Sequence, residues 1–256
     1  MSLPLSTSRE KARLLASTLS RQGVACGIGR VAQSEVRPVR GFADLPGLQG
    51  ADRGRLTEWL SEDEGAGAAT IALAALQAVT RPDDPLLLVS GERPLSPWML
   101  AAAGVEDGRA VLVRPGSVEE SSWAIEQAMR CEGVGGVVAW IDRAPERLLT
   151  RLQLAVEQGG GWGFLIRPVT ARREKCWGAA RFLVHPQPVG MRELTGGWRR
   201  VGIEVLAGRG GSAVAGQSFV AEVCDATGHV RLVPPLADST SGSQPAGVET
   251  IPHRPR

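Results

Sequence analysis

Tyrosine is absent from this 256-residue chain, and lysine occurs only twice, as Lys11 and Lys175. An ammonium group to neutralise a bound triphosphate therefore has two sources, one near the N-terminus and one far downstream. Cysteine is scarce and scattered: Cys26, Cys131, Cys176 and Cys224 form no CxxC pair, and the three histidines do not cluster. A structural zinc site needs closely spaced ligand pairs, so no metal is expected. Dispersed thiols are those of a reduced, cytosolic protein. No apolar run approaches the ~18 residues that a membrane span requires. The opening stretch MSLPLSTSREKARLLASTLS interleaves charge with its apolar stripe and lacks the apolar centre of a signal peptide. The expected location is the cytoplasm, with no membrane partner.

Apolar residues make up 43% of the chain, enough for one large or two modest domains with a substantial core. The formal charge is only +2, but it is unevenly spread. Between Arg167 and Arg209 nine basic residues face three acidic ones, so that segment carries +6 and the remainder −4. Such asymmetry marks either a polyanion-facing surface or a set of solvated loops.

Residues 8–23 have the spacing of an amphipathic helix, stopped by Gly23. Residues 24–54 are rich in glycine, proline and polar residues and are expected to be mostly irregular. GRLTEWL (54–60) alternates apolar and polar, the pattern of a half-buried strand. A helix over 68–80 follows, then LLLVS (86–90), a continuous apolar run of the kind tolerated in a strand covered on both faces. SPWMLAAAG (96–104) has helix punctuation, AVLVR (110–114) is a strand, and SVEESSWAIEQAMRC (117–131) opens with a serine N-cap and a capping-box glutamate. GGVVAWI (135–141), PERLLTRLQLAVEQG (145–159) and GFLIR (163–167) continue the alternation. It predicts an α/β fold with a mainly parallel sheet flanked by helices, and Leu87, Val89, Val137, Val138, Leu165 and Ile166 in the core. Past residue 178 strand-like segments follow one another without helices, and DATG (225–228) is a hairpin turn by residue type, so antiparallel C-terminal strands are expected. The divisions are an N-terminal helix region (1–30), a core (31–237) and a tail (238–256) too poor in apolar residues to fold.

The stretch EDEGAGAAT (62–70) sits between a strand and a helix, where a phosphate-binding loop would lie. A Walker A loop reads GxxxxGK[ST]; its amides cradle phosphates, its lysine neutralises charge and its hydroxyl holds magnesium. With Gly67 on the second glycine, Glu62 takes the first, Ala68 the lysine and Ala69 the hydroxyl. Three of four fixed positions fail; Gly65 and Thr70 do not restore them. Glu62, Asp63 and Glu64 also have the wrong sign. At ~5 Å and an effective dielectric of about 20, each repulsion of a phosphate charge costs roughly 3 kcal/mol before screening. The expectation is a degenerate nucleotide loop and no cofactor.

Read in order, these segments resemble the RecA-like P-loop core, and most closely the ImuA family of translesion-synthesis accessory proteins. The resemblance runs through GFADLPGLQGADRGRLTEWLSEDEGAGAATIALAAL, LLLVSGERPLSPWMLAAAGVEDGRAVLVRP and EESSWAIEQAMRCEGVGGVVAWIDR. It continues through RLQLAVEQGGGWGFLIRP, WRRVGIEVLAGRGG and VCDATGHVRLVPPLAD, covering roughly residues 8–237. Glu92 matches the acid that activates water in RecA-type ATPases. Asp142 lies one position beyond the gap-free register of the Walker B aspartate, which falls on Ile141; helix capping or a surface turn explains it equally well.

The resemblance implies a non-catalytic scaffold in an SOS-induced, error-prone DNA synthesis complex, nucleoid-associated when engaged. Its partners would be the inactive Y-family-like polymerase homologue ImuB, an error-prone DnaE-type polymerase and RecA. The counterpart of RecA's DNA-contacting loop is VTARREKCWGAA. Arg167, Arg172, Arg173, Lys175, Trp177, Arg199, Arg200 and Arg209 are the candidate surface for single-stranded DNA or a protein partner. Trp177 either stacks on a base or packs under the sheet edge. Two alternatives stand beside this: an active RecA-like ATPase with an atypical site, and an SOS cell-division inhibitor directed at the tubulin-like division protein.

Overall fold

The computed structural model describes residues 8–28, 41–49, 53–63, 65–91, 93, 99–100, 103–106, 108–187, 197–208, 215–224 and 229–233. The parts of the expected helix over 96–104 at 96–98 and 101–102, the turn DATG and the tail 238–256 lie outside them. The strands are β1 (Ala25–Ile28), β2 (Arg55–Ser61), β3 (Leu86–Val89), β4 (Ala110–Arg114), β5 (Gly136–Trp140), β6 (Trp162–Pro168), β7 (Ala180–Pro186), β8 (Trp198–Gly208), β9 (Ser218–Cys224) and β10 (Val230–Val233). The helices are α1 (Ser8–Arg21), α2 (Ala68–Val79), α3 (Val118–Arg130) and α4 (Glu146–Gly159), with short 3-10 segments at Phe42–Asp44 and Val169–Arg173.

All ten strands form one sheet in the order β1-β4-β3-β5-β6-β2-β7-β8-β9-β10. Every pairing from β4 to β7 is parallel. β1 joins β4 antiparallel at one edge, and β7 through β10 pair antiparallel toward the other. The continuous apolar runs lie in the parallel centre, and the six core residues named from sequence are all buried. A strand covered by helices on both faces has no wet side on which to place polar residues.

The two faces carry separate cores. α2 packs on one, with Phe42, Leu45 and Leu48 and the inward residues of β6 to β10. α1, α3 and α4 cover the other. On the α2 face Trp59 lies between Phe164 and Phe182, at ring-centre separations of 5.4 and 4.3 Å. Its indole N–H donates to the Thr57 hydroxyl at 3.0 Å, satisfying two buried polar groups at once. α3 starts as its sequence specifies: the Ser117 hydroxyl accepts from the Glu120 N–H at 3.1 Å, while the Glu120 carboxylate accepts from the Gly116 N–H at 2.8 Å.

One expectation is filled out and one needs correction. Where it is described, the segment 24–54 is largely turns, bends and irregular chain, and it also contains β1 and the 3-10 turn at Phe42–Asp44. Four residues with a glycine, ACGI, are too few to show a period, and the pairing with β4 makes them a strand. The second concerns β2, whose alternation suggested a half-buried strand. Residues Leu56 to Leu60 are all wholly buried, because β2 lies in the middle of the sheet between β6 and β7 with both faces covered. Its polar positions, Thr57 and Glu58, are internal.

Candidate functional site

The turn 62–67 leaves the C-terminal end of β2, and α2 begins at Ala68 behind an N-cap glycine, Gly67, at φ 90°. A left-handed backbone favours glycine there. Parallel strands bring the ends of β2, β5 and β6 to the same edge, where a cleft of about 610 Å³ is bounded by Asp63, Gly67, Thr70, Arg93, Asp142 and Arg199. A strand, a glycine-bearing turn and a helix start thus meet at this edge. Ala68 is buried and Ala69 half-buried, and neither side chain offers a donor. Glu62, Asp63 and Gly65 are exposed at the mouth.

The ground above the helix terminus is occupied from across the sheet. Arg199, near the start of β8, lies so close to Gly67 that a Cβ added there would come within 3.0 Å of its guanidinium. A cation at a helix N-terminus opposes the macrodipole; the acidic turn beside it offsets that charge. The Arg199 guanidinium thus lines the cleft directly beside the Gly67 backbone.

Asp142 follows β5 directly and is two-thirds exposed. Its carboxylate accepts from the Arg93 guanidinium at 2.7 Å. β3 and β5 are neighbours, so this pair ties together the loops that follow them. It stands between the first cleft and a second of about 820 Å³ that is floored by Ser90 and Ile141 and walled by the start of α3. Ile141, the gap-free Walker B position, is buried in the α3–α4 core and carries no carboxylate. Glu92 lies outside the described residues, as does Arg209.

The basic stretch resolves into residues with different surroundings. Arg167 is not a surface residue: its side chain is wholly buried, bonded to Glu58 at 2.9 Å and to Glu174 at 2.7 Å. The side chain of β6 at this position points into the layer beneath the 169–178 segment, where an unpaired charge would be costly and a carboxylate compensates it. Arg181 joins the same cluster, donating to Glu58 at 2.8 Å and to the carbonyls of Glu174 and Lys175 at 2.5 and 3.0 Å. Glu58 also accepts the Trp177 N–H at 3.2 Å. Two carboxylates and two guanidiniums balance.

Arg172 pairs with Glu204 at 3.5 Å, and Arg173 is exposed. The Lys175 ammonium lies 4.2 Å from the centre of the Trp177 ring, which packs against the α3–α4 core. Arg200 donates to Glu222 at 3.2 Å. Burial pushes the Glu222 carboxyl upward, but the hydrogen bonds and charges of Arg231 and Arg200 outweigh it and the net direction is down. Cys176, beside the cluster, is pushed up to about 11 by burial, with the Glu58 charge adding to it. Burial likewise raises Cys26.

The reading from sequence missed Glu58 and placed Arg181 only within a charge count. A signal existed: both are single charges inside otherwise apolar strand segments, LTEWL and ARFLV, and opposite charges in such positions can satisfy one another. Among the described residues no group of three or more His, Cys, Asp or Glu is placed to hold a metal ion, and no helix is long and apolar enough to cross a membrane.

These features define an α/β protein with a parallel core, an antiparallel extension and a strand–turn–helix cleft, compatible with a Rossmann-like or RecA-like core. No protein-family model matches the chain. It is similar to the cell division inhibitor SulA of Yersinia pestis (strain Pestoides F) and of Yersinia pseudotuberculosis serotype O:1b (strain IP 31758). Each is 23% identical over 134 residues, spanning 52% of this chain and 80% of the relative.

Proposed function

We propose that the chain is a non-catalytic RecA-like protein of the ImuA type, an accessory subunit of a damage-induced, error-prone DNA synthesis complex that acts through protein contacts. The observation that carries this reading is the Arg199 guanidinium against Gly67, above a helix start whose lysine and hydroxyl positions are Ala68 and Ala69. Glu62 and Asp63 stand exposed at the mouth of the cleft, and the helix start offers a triphosphate neither a lysine nor a hydroxyl at the positions where a nucleotide loop carries them. Arg93 engaging Asp142 supports the same conclusion for magnesium. The strand order supports the RecA-like part: the strand preceding Asp142 lies next to β3, and the loop-bearing strand is central.

Calorimetry with millimolar ATP and magnesium should give no saturable heat, and capture of the inactive polymerase homologue ImuB should succeed without nucleotide. Micromolar ATP binding would sink the pseudo-ATPase reading.

The likeness to SulA favours a second reading, inhibition of cell division by binding the tubulin-like division protein. The two separate cleanly in one assay. A division inhibitor lowers the polymerisation of the purified division protein, seen by light scattering, at near-stoichiometric ratio; an accessory subunit of the synthesis complex leaves it unchanged.

A further inference from the structure

We infer that the exposed ridge Arg172–Arg173–Lys175 is a pre-organised docking surface for an acidic protein segment, held in shape from below by the buried Glu58 carboxylate; this rests on reading the chain as a protein-binding accessory factor. Four observations converge on it. The segment 168–178 is clamped: Arg167 reaches up to Glu174, Arg181 holds the carbonyls of Glu174 and Lys175, and Glu58 holds both arginines and the Trp177 N–H. The Ala179 N–H donates to the Leu56 carbonyl at 2.6 Å, closing the far end onto β2. A surface fixed in this way loses little conformational freedom on binding.

Second, Glu174, the one acid that interrupts the basic run, is held at 2.7 Å by the buried Arg167 guanidinium, which offsets part of its charge. Arg172, Arg173 and Lys175 then outnumber the acids beside them, Glu204 and the Arg167-paired Glu174. Third, Arg173 makes no ion pair among the described residues and points its charge to solvent, where a partner carboxylate can take it bidentately. Fourth, the only aromatic in the segment is spoken for. Trp177 packs on the core and carries the Lys175 ammonium on its ring. Single-stranded nucleic acid is gripped by stacking bases on open aromatic faces as well as by charge, and a ring held this way offers none. Charge without a stacking platform fits carboxylates on a protein chain better than bases on a strand.

The test uses the full chain in fluorescence anisotropy against two labelled probes, a twelve-residue polyglutamate peptide and a twelve-nucleotide oligothymidylate. The expected result is tighter binding of polyglutamate, weakened about tenfold or more by the combined Arg172→Ala, Arg173→Ala and Lys175→Ala substitutions. Trp177→Ala should leave oligothymidylate binding as it was. Glu58→Gln should speed amide exchange across residues 169–178 and weaken polyglutamate while the ridge charges remain. Should that variant fail to fold, Glu174→Gln, at the exposed end of the clamp, carries the same two readouts. Tighter binding of oligothymidylate that Trp177→Ala weakens tenfold would overturn the inference, as would polyglutamate binding that is absent or indifferent to the triple substitution. A chain that ignores polyglutamate but still captures the polymerase homologue would remove this surface and leave the accessory role standing. Micromolar ATP binding would do the reverse.

Discussion

Glu58 and Arg167, both without solvent exposure, face each other at 2.9 Å from neighbouring parallel strands, more than a hundred residues apart in sequence. Neither charge has water to fall back on. Loss of one partner leaves the other buried and unpaired, which costs about 3–5 kcal/mol in such settings. Glu58→Gln should therefore lower the urea midpoint sharply, because it leaves both Arg167 and Arg181 short of a counter-charge. A midpoint within error of the parent would mean that water enters the cluster.

Gly159 is the last residue of α4, and a Cβ there would lie 2.1 Å from the Met129 carbonyl oxygen of α3. Glycine to alanine in a helix normally stabilises by up to about 1 kcal/mol. Here the contact is with backbone, which cannot swing aside, so the sign reverses. Gly159→Ala should destabilise by about 1–3 kcal/mol, the usual cost of overpacking. Equilibrium unfolding of the single variant checks it; a gain in stability would show that the two helices are set further apart.

Val138 lies at the middle of β5 with 1% exposure, in the α2-side core. Val138→Asp would place an uncompensated carboxylate among aliphatic side chains. Soluble expression should be lost. A soluble, cooperatively folded variant would place β5 at an edge of the sheet.

Cys176 is held protonated in the folded chain to about pH 11, by burial first and the Glu58 charge second, against 9.0 for an unperturbed thiol. Between those values the unfolded chain has released the proton and the folded chain has not. This contribution to stability is complete below pH 9 and is lost as the pH rises toward 11. Burial raises Cys26 in the same direction, so the share due to Cys176 is read from its own substitution. Stability should fall from pH 9 to 11, less steeply in Cys176→Ser, and alkylation of Cys176 at pH 8 should be far slower in native protein than in urea.

The parallel core was legible because runs such as LLLV and GVVAW announce burial on both faces without any partner being known. The strand–turn–helix around Ala68 and Ala69 was legible too, since an acidic, glycine-bearing turn separates two apolar segments there. What remained hidden depended on pairing across the chain. β1 is a strand only because β4 is beside it. Arg167 reads as a surface cation until Glu58 is brought beneath it, and Arg199 reads as one more basic residue until β8 folds back and sets it over Gly67. A local window holds one half of each of these relationships.

The placement of β2 has a consequence for how the chain comes off the ribosome. This strand ends at Ser61, yet its two neighbours end at Pro168 and Pro186, so its hydrogen bonds join residues 106 to 123 positions apart. At roughly 5–20 residues per second, the strand bearing the loop waits about 6–25 s before both neighbours exist. During that interval Trp59 has no Phe164 or Phe182 to stack on, and Glu58 has no arginine. Until then both hydrogen-bonding edges of this alternating segment are open, the condition in which strands pair with the wrong partner. The strand order thus leaves the centre of the sheet to be completed by the last of its parallel strands to be made.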